Sequence, residues 1–78
     1  MYNLKKIIIV GGTGFLGYHL SLKCIKNKWQ VISLSRKKPK PFRTIKKVNY
    51  QIVDTFKKKK VNKILKKINN IDYVVNLS

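Results

Sequence analysis

The 78-residue sequence contains no Glu and no Ala, and its only acids are Asp54 and Asp72. A hydrolase built on paired glutamates and a carboxylate-rich metal site are both excluded. One Cys (Cys24) and one His (His19) exclude a disulfide framework and a Cys/His zinc site. No apolar run approaches the roughly 20 residues of a membrane span, so no membrane partner is expected. Lys5-Lys6 before Ile7-Ile8-Ile9-Val10 has the look of a signal-peptide start. Glycines then break the apolar stretch, and without Ala no Ala-x-Ala cleavage site can exist. The expected compartment is the cytoplasm.

What is present in excess is lysine. Lys and Arg number 19 against two acids, a net charge of +17, and only Arg36 and Arg43 of those cations are arginines. Ile and Asn are also abundant. Lys, Ile and Asn have A/T-rich codons and Ala has G/C-rich ones, so the excess reads as codon drift with lysines on solvated faces. A nucleic-acid surface would use more Arg, which reads phosphate and guanine bidentately. The charge still implies salt-sensitive, nonspecific attraction to polyanions, without a specific nucleic-acid partner. The apolar share is 44%, enough for one small core, although a chain of this size buries only roughly 60% of its unfolded surface.

Ile7 to Val10 is a continuous β-branched run, the pattern of a strand buried on both faces. Glycines follow, and from Phe15 the period becomes helical, with Leu16, Leu20 and Cys24 four apart. This predicts a helix over Phe15–Asn27, with Trp29 covering its end and His19 on its wet side. Val31 to Leu34 reads as a second strand. Arg36 to Lys47 is a basic connection whose two prolines oppose a full helix. Val48 to Val53 reads as a third strand, with Val48, Tyr50 and Ile52 on one face. A second amphipathic helix is predicted over Lys57–Asn69, with Val61, Ile64, Leu65 and Ile68 as its apolar stripe. Tyr73 to Leu77 is the fourth strand. Strands alternating with helical segments imply an α/β fold with a parallel sheet. Ile8, Val10, Ile32, Leu34, Ile52 and Val74 are the expected core.

The chemistry concentrates in Gly11-Gly12-Thr13-Gly14-Phe15-Leu16-Gly17. Gly12, Gly14 and Gly17 form G-x-G-x-x-G directly after a buried strand and at the start of a helix, the context that gives the motif meaning. Gly11 permits a tight strand exit. Gly14 lets a pyrophosphate approach the backbone, and Gly17 lets the helix pack closely. The unpaired N–H groups of the first helical turn, at Phe15 and Leu16, can then hold an anion. A plain glycine turn is the alternative, but the spacing and context favour dinucleotide binding.

The run Gly-Gly-Thr-Gly-Phe-Leu-Gly-Tyr-His-Leu resembles the first turn and helix of the extended short-chain dehydrogenase/reductase superfamily, the branch of NAD-dependent epimerases, dehydratases and reductases. The resemblance implies the N-terminal half of a Rossmann fold, a four-stranded parallel sheet in order 3-2-1-4. It implies that Asp54, with Thr55 beside it, faces the adenine amino group after the third strand. It also implies that the backbone at Leu77 and Ser78 passes the nicotinamide-side ribose. Three positions depart from the family pattern. Val10 stands where Thr is frequent, Lys28 where Gly ends the first helix, and Ser78 where Ala is usual. Lys28 would carry about 1 kcal/mol of left-handed strain.

In this fold an acid at the end of the second strand bonds the ribose 2′-hydroxyl of NAD, and an Arg accommodates the 2′-phosphate of NADP. Here the position holds Ser35, followed by Arg36. With the acid missing and arginine scarce, Ser35 and Arg36 read as a phosphate clamp, so NADP is favoured over NAD.

The family's catalytic Tyr-x-x-x-Lys pair is missing from any usable place. Tyr2 and Lys6 match the spacing but precede the first strand, so no catalytic residue is assigned. Residues 1–78 thus read as an incomplete NAD(P)-binding domain, about a quarter of an enzyme and the product of a truncated or incomplete gene. The complete protein would act by hydride transfer on a small molecule such as a nucleotide-sugar. Two alternatives are a family member that keeps the nucleotide without chemistry, and a small basic nucleic-acid-binding protein. The second of these leaves the glycine turn unexplained.

Overall fold

A computed structural model describes residues 4–77. Its elements are strand β1 (Lys6–Val10), helix α1 (Phe15–Lys26), strand β2 (Gln30–Ser35), a single 3-10 turn (Pro41–Arg43), strand β3 (Asn49–Ile52), helix α2 (Lys58–Lys67) and strand β4 (Tyr73–Asn76). The four strands form one sheet in the order β3-β2-β1-β4, and every pairing is parallel. Ile8 stands between Ile32 of β2 and Val74 of β4.

The β-branched run of β1 is buried on both faces because it is central and helices cover it from both sides. Ile7 and Ile9 join Val31, Val48 and Cys24 of α1, with Leu20, Ile25, Trp29 and Tyr50 packed around them. Ile8 and Val10 join Leu34 on the other face, under Val61, Ile64, Leu65 and Ile68 of α2. Alternation along the strands therefore sorts their side chains into an α1 layer and an α2 layer. Trp29 also stacks on Tyr73, with ring centroids 5.4 Å apart, which ties the end of α1 to β4.

Two expected core residues are not in the core. Ile52 is 50% exposed and Val74 51% exposed. Both lie on edge strands: Val74 is level with Ile8 on the α2 face and Ile52 with Ser35 on the α1 face, and neither belongs to the cluster under its helix. The stripe on α1 also differs. Gly17, Ser21 and Cys24 are its buried residues, and Leu16 is 67% exposed. The helix seats its small residues against the sheet and turn, and this close approach rolls Leu16 outward.

The helix ends explain the shifted boundaries. After α1, Lys28 adopts φ 64°. The Trp29 N–H donates to the Cys24 carbonyl and the Lys28 N–H to the Ile25 carbonyl, both at 2.9 Å. This is a Schellman close with lysine where glycine is preferred. Helix α2 stops at Lys67 because Ile68 turns extended (φ −96°, ψ 124°), and Asn70 then takes φ 61°. The first turn of α2 has no acid and no side-chain cap, only lysines, which oppose the helix dipole.

Candidate dinucleotide site

All four strands run the same way, so their C-terminal ends meet at one edge of the sheet. Gly11, Asp54 and Leu77 follow those ends, and Ser35 is the last residue of β2. Backbone bonds hold them together: the Gly11 N–H donates to the Leu34 carbonyl (2.7 Å), the Val53 N–H to Ser35 (2.8 Å) and the Leu77 N–H to Val10 (2.8 Å). Ser78 lies outside the described residues.

The glycines divide their work. Gly11 takes φ 82°, a conformation glycine adopts without strain. A Cβ on Gly12 would collide with the Ser33 hydroxyl, and one on Gly17 would lie 2.5 Å from three backbone atoms of Gly12. These two are therefore required by packing. The close approach of α1 at Gly17 is to the turn itself. Gly14 differs: a Cβ there meets nothing within 4 Å. No protein contact asks for glycine at this position, and the open space over it is the room a phosphate on the helix start would need.

Gly14 is the N-cap of α1, with no side-chain cap and no acid in the first turn. The first bond of the helix runs from the Tyr18 N–H to the Gly14 carbonyl, at 2.9 Å. The N–H groups of Phe15, Leu16 and Gly17 precede it and have no intrahelical acceptor. They lie at the positive end of the helix dipole, which suits an anion. Phe15 and Leu16 are 62% and 67% exposed, so their backbone is approachable. The residues present thus fit a pyrophosphate.

At the end of β2 the two halves of the expected clamp part company. Ser35 is buried, and its hydroxyl donates to the Lys37 carbonyl at 2.8 Å. It shapes the turn that carries Arg36 and does not offer its proton to a ligand. Arg36 is exposed, and its guanidinium lies over the Phe56 ring, 4.2 Å from the centroid. Asp54 Oδ1 accepts the Phe56 N–H at 3.1 Å, while Thr55 is half-buried beside it. Phe56 escaped the sequence reading because only its position after Asp54 and its high exposure mark it. A groove of about 450 Å³ opens at the same end of the sheet, lined by Val10, Thr55, Phe56, Val61, Val74 and Asn76 among others.

Among the described residues nothing at this edge forms an acid–base pair. Tyr2 lies outside the described residues. Lys6 starts β1 at the opposite edge of the sheet, where its Nζ donates to the Asn69 carbonyl at 2.6 Å. Asp72 is there too, accepting the Lys6 N–H at 2.7 Å. Among the described residues no cluster of three metal-ligating side chains occurs, and no helix is long and apolar enough to cross a membrane.

Solved structures share this fold at low sequence identity. The UDP-glucose 4-epimerase of Thermotoga maritima, with UDP-glucose, is 23% identical with a TM-score of 0.79, over 94% of this chain and 24% of that one. The Bifidobacterium longum enzyme, in complex with NAD+ and UDP, is 21% identical with a TM-score of 0.77, over 95% and 24%. The Thermus thermophilus enzyme, in complex with NAD, is 22% identical with a TM-score of 0.77, over 94% and 24%. The chain therefore spans about a quarter of the length of these proteins. No curated protein matches the sequence. Residues 7–78, nearly the whole chain, match the NAD dependent epimerase/dehydratase family, and the protein belongs to that family.

Proposed function

We propose that residues 1–78 form the dinucleotide-binding part of an epimerase, dehydratase or reductase that works by hydride transfer on a nucleotide-sugar or related hydroxy or keto compound, in the cytoplasm. The observation that carries this is Gly14: the fold itself has no need of glycine there, whereas a pyrophosphate on the first turn of α1 does. Backbone N–H groups of Phe15, Leu16 and Gly17 hold the pyrophosphate, and Gly11 sets the angle at which the chain leaves β1. Asp54 and Thr55 border the adenine, and Leu77 with Ser78 borders the nicotinamide-side ribose. The dinucleotide supplies the hydride acceptor and donor. These residues bind and orient it, and none of them acts as acid or base.

NADP is the preferred cofactor in this proposal. The end of β2 offers the ribose no carboxylate, and Arg36 is exposed with cationic neighbours at Lys37 and Lys38. One charge-assisted contact contributes roughly 1.5–3 kcal/mol, about ten- to a hundredfold in affinity. Titration of the full-length protein with NADP and NAD, for wild type, Gly14→Val and Arg36→Ala, tests both parts. Gly14→Val should lose both cofactors while keeping the fold, since its side chain enters open space. Arg36→Ala should cost NADP most of its advantage and leave NAD nearly unchanged. Wild-type cofactor affinity in Gly14→Val would remove the anion site, and equal wild-type affinities for NADP and NAD would remove the preference.

A further inference from the structure

Phe56 is 71% exposed and belongs to neither core cluster. Burial does not fix its place; its backbone does. The Phe56 N–H is held by Asp54 Oδ1 at 3.1 Å, and the Lys57 N–H donates to the Asp54 carbonyl at 3.0 Å. This turn sets the ring beside the end of β2, where the Arg36 guanidinium lies over it at 4.2 Å. A cation–π contact takes up no hydrogen-bond acceptor, and the guanidinium carries five N–H donors. Among the described residues no carboxylate or carbonyl takes them. The turn before Arg36 is itself tied by the Ser35 hydroxyl bond to Lys37.

We propose that Phe56 is a positioning residue for cofactor choice: its ring holds the Arg36 guanidinium at the end of β2 with the donor edge open to a 2′-phosphate on the adenosine ribose. Phe56 thereby raises discrimination for the phosphorylated ribose without touching the phosphate. The proposal rests on the dinucleotide reading above and on its NADP preference. The gain is pre-organisation. An arginine already ordered loses less rotamer freedom when the phosphate arrives. An exposed cation–π contact corresponds to about a two- to fivefold effect.

The test titrates the full-length protein with adenosine 2′,5′-bisphosphate and with AMP, which share the adenosine and differ by the 2′-phosphate. The affinity ratio is read for wild type, Phe56→Leu, Phe56→Tyr, Arg36→Ala and Arg36→Ala/Phe56→Leu. Phe56→Leu should lower the ratio about two- to fivefold with AMP affinity unchanged, and Phe56→Tyr should restore it. In the Arg36→Ala background Phe56→Leu should have no further effect on the ratio. The proposal is overturned if Phe56→Leu leaves the ratio at the wild-type value, lowers both ligands equally, or acts as strongly without Arg36. A ratio unmoved by Arg36→Ala overturns the NADP preference itself, and failure of both ligands to bind overturns the dinucleotide reading.

Discussion

Replacing Gly17 by Ala adds one methyl group where the turn has no room for it. Two effects oppose each other. Gly17 lies in the first turn of α1, and Ala there should favour the helix by roughly 0.5–1 kcal/mol. Against this, the new Cβ would lie 2.5 Å from the Cα, carbonyl carbon and carbonyl oxygen of Gly12. Ordinary contact begins near 3.4 Å, so turn and helix must separate by almost an ångström. The obstacle is backbone, which cannot rotate away as a side-chain tip can. Overpacking costs about 1–3 kcal/mol and sometimes more. With three backbone atoms struck at once the upper end applies, leaving a net loss of about 2 kcal/mol. For a full-length protein several times this size that lowers Tm by roughly 4 °C. Thermal unfolding of the full-length protein, followed by circular dichroism, reads it. Gly14→Ala is the control, since its Cβ meets nothing within 4 Å; its Tm should move only by the small N-cap difference. If Gly17→Ala melts within about 2 °C of wild type, the close approach of α1 to Gly12 is not what this structure describes.

Lys28→Gly should stabilise the protein by about 0.5–1 kcal/mol, the left-handed strain relieved less the added freedom of the unfolded chain. An unchanged or lower denaturation midpoint in urea would refute that account of the α1 end. Cys24 is 6% exposed, and burial pushes its thiol above the ordinary range, with Lys23 opposing more weakly. In the native protein it should react with a thiol reagent at pH 8 at least about tenfold more slowly than in urea. The sign of its pH linkage follows from the raised native pKa. Its contribution to stability is complete below the unfolded thiol's pKa and is lost as pH climbs through the native value. Denaturation midpoints should thus fall on the alkaline side, and a Cys24→Ser variant should lack that part of the slope.

Much of the layout is a property of local sequence. The β-branched run at Ile7–Val10, the glycines after it and the change to helical spacing at Phe15 specify strand, turn and helix from neighbouring residues alone. Alternation of such units then implies a parallel sheet, while the order β3-β2-β1-β4 was implied by the resemblance of the glycine run to its family. The glycine spacing likewise marked the turn on which the anion site is proposed, because backbone freedom depends on residue type more than on surroundings. Contacts between elements distant in sequence were decided only by the tertiary structure. Ile52 and Val74 have strand-like apolar patterns, yet their exposure depends on how far α1, over Ile52, and α2, over Val74, reach towards the edges of the sheet. Leu16 and Gly17 both fit a helix, and the layer spacing chose the glycine to face inward. Ser35 and Arg36 are adjacent in the chain. Burial turned one hydroxyl to Lys37, and the Asp54 turn brought Phe56 under the other side chain. A strand's alternation says which side chains share a face, whereas what meets them there is set by register and by the element packed above.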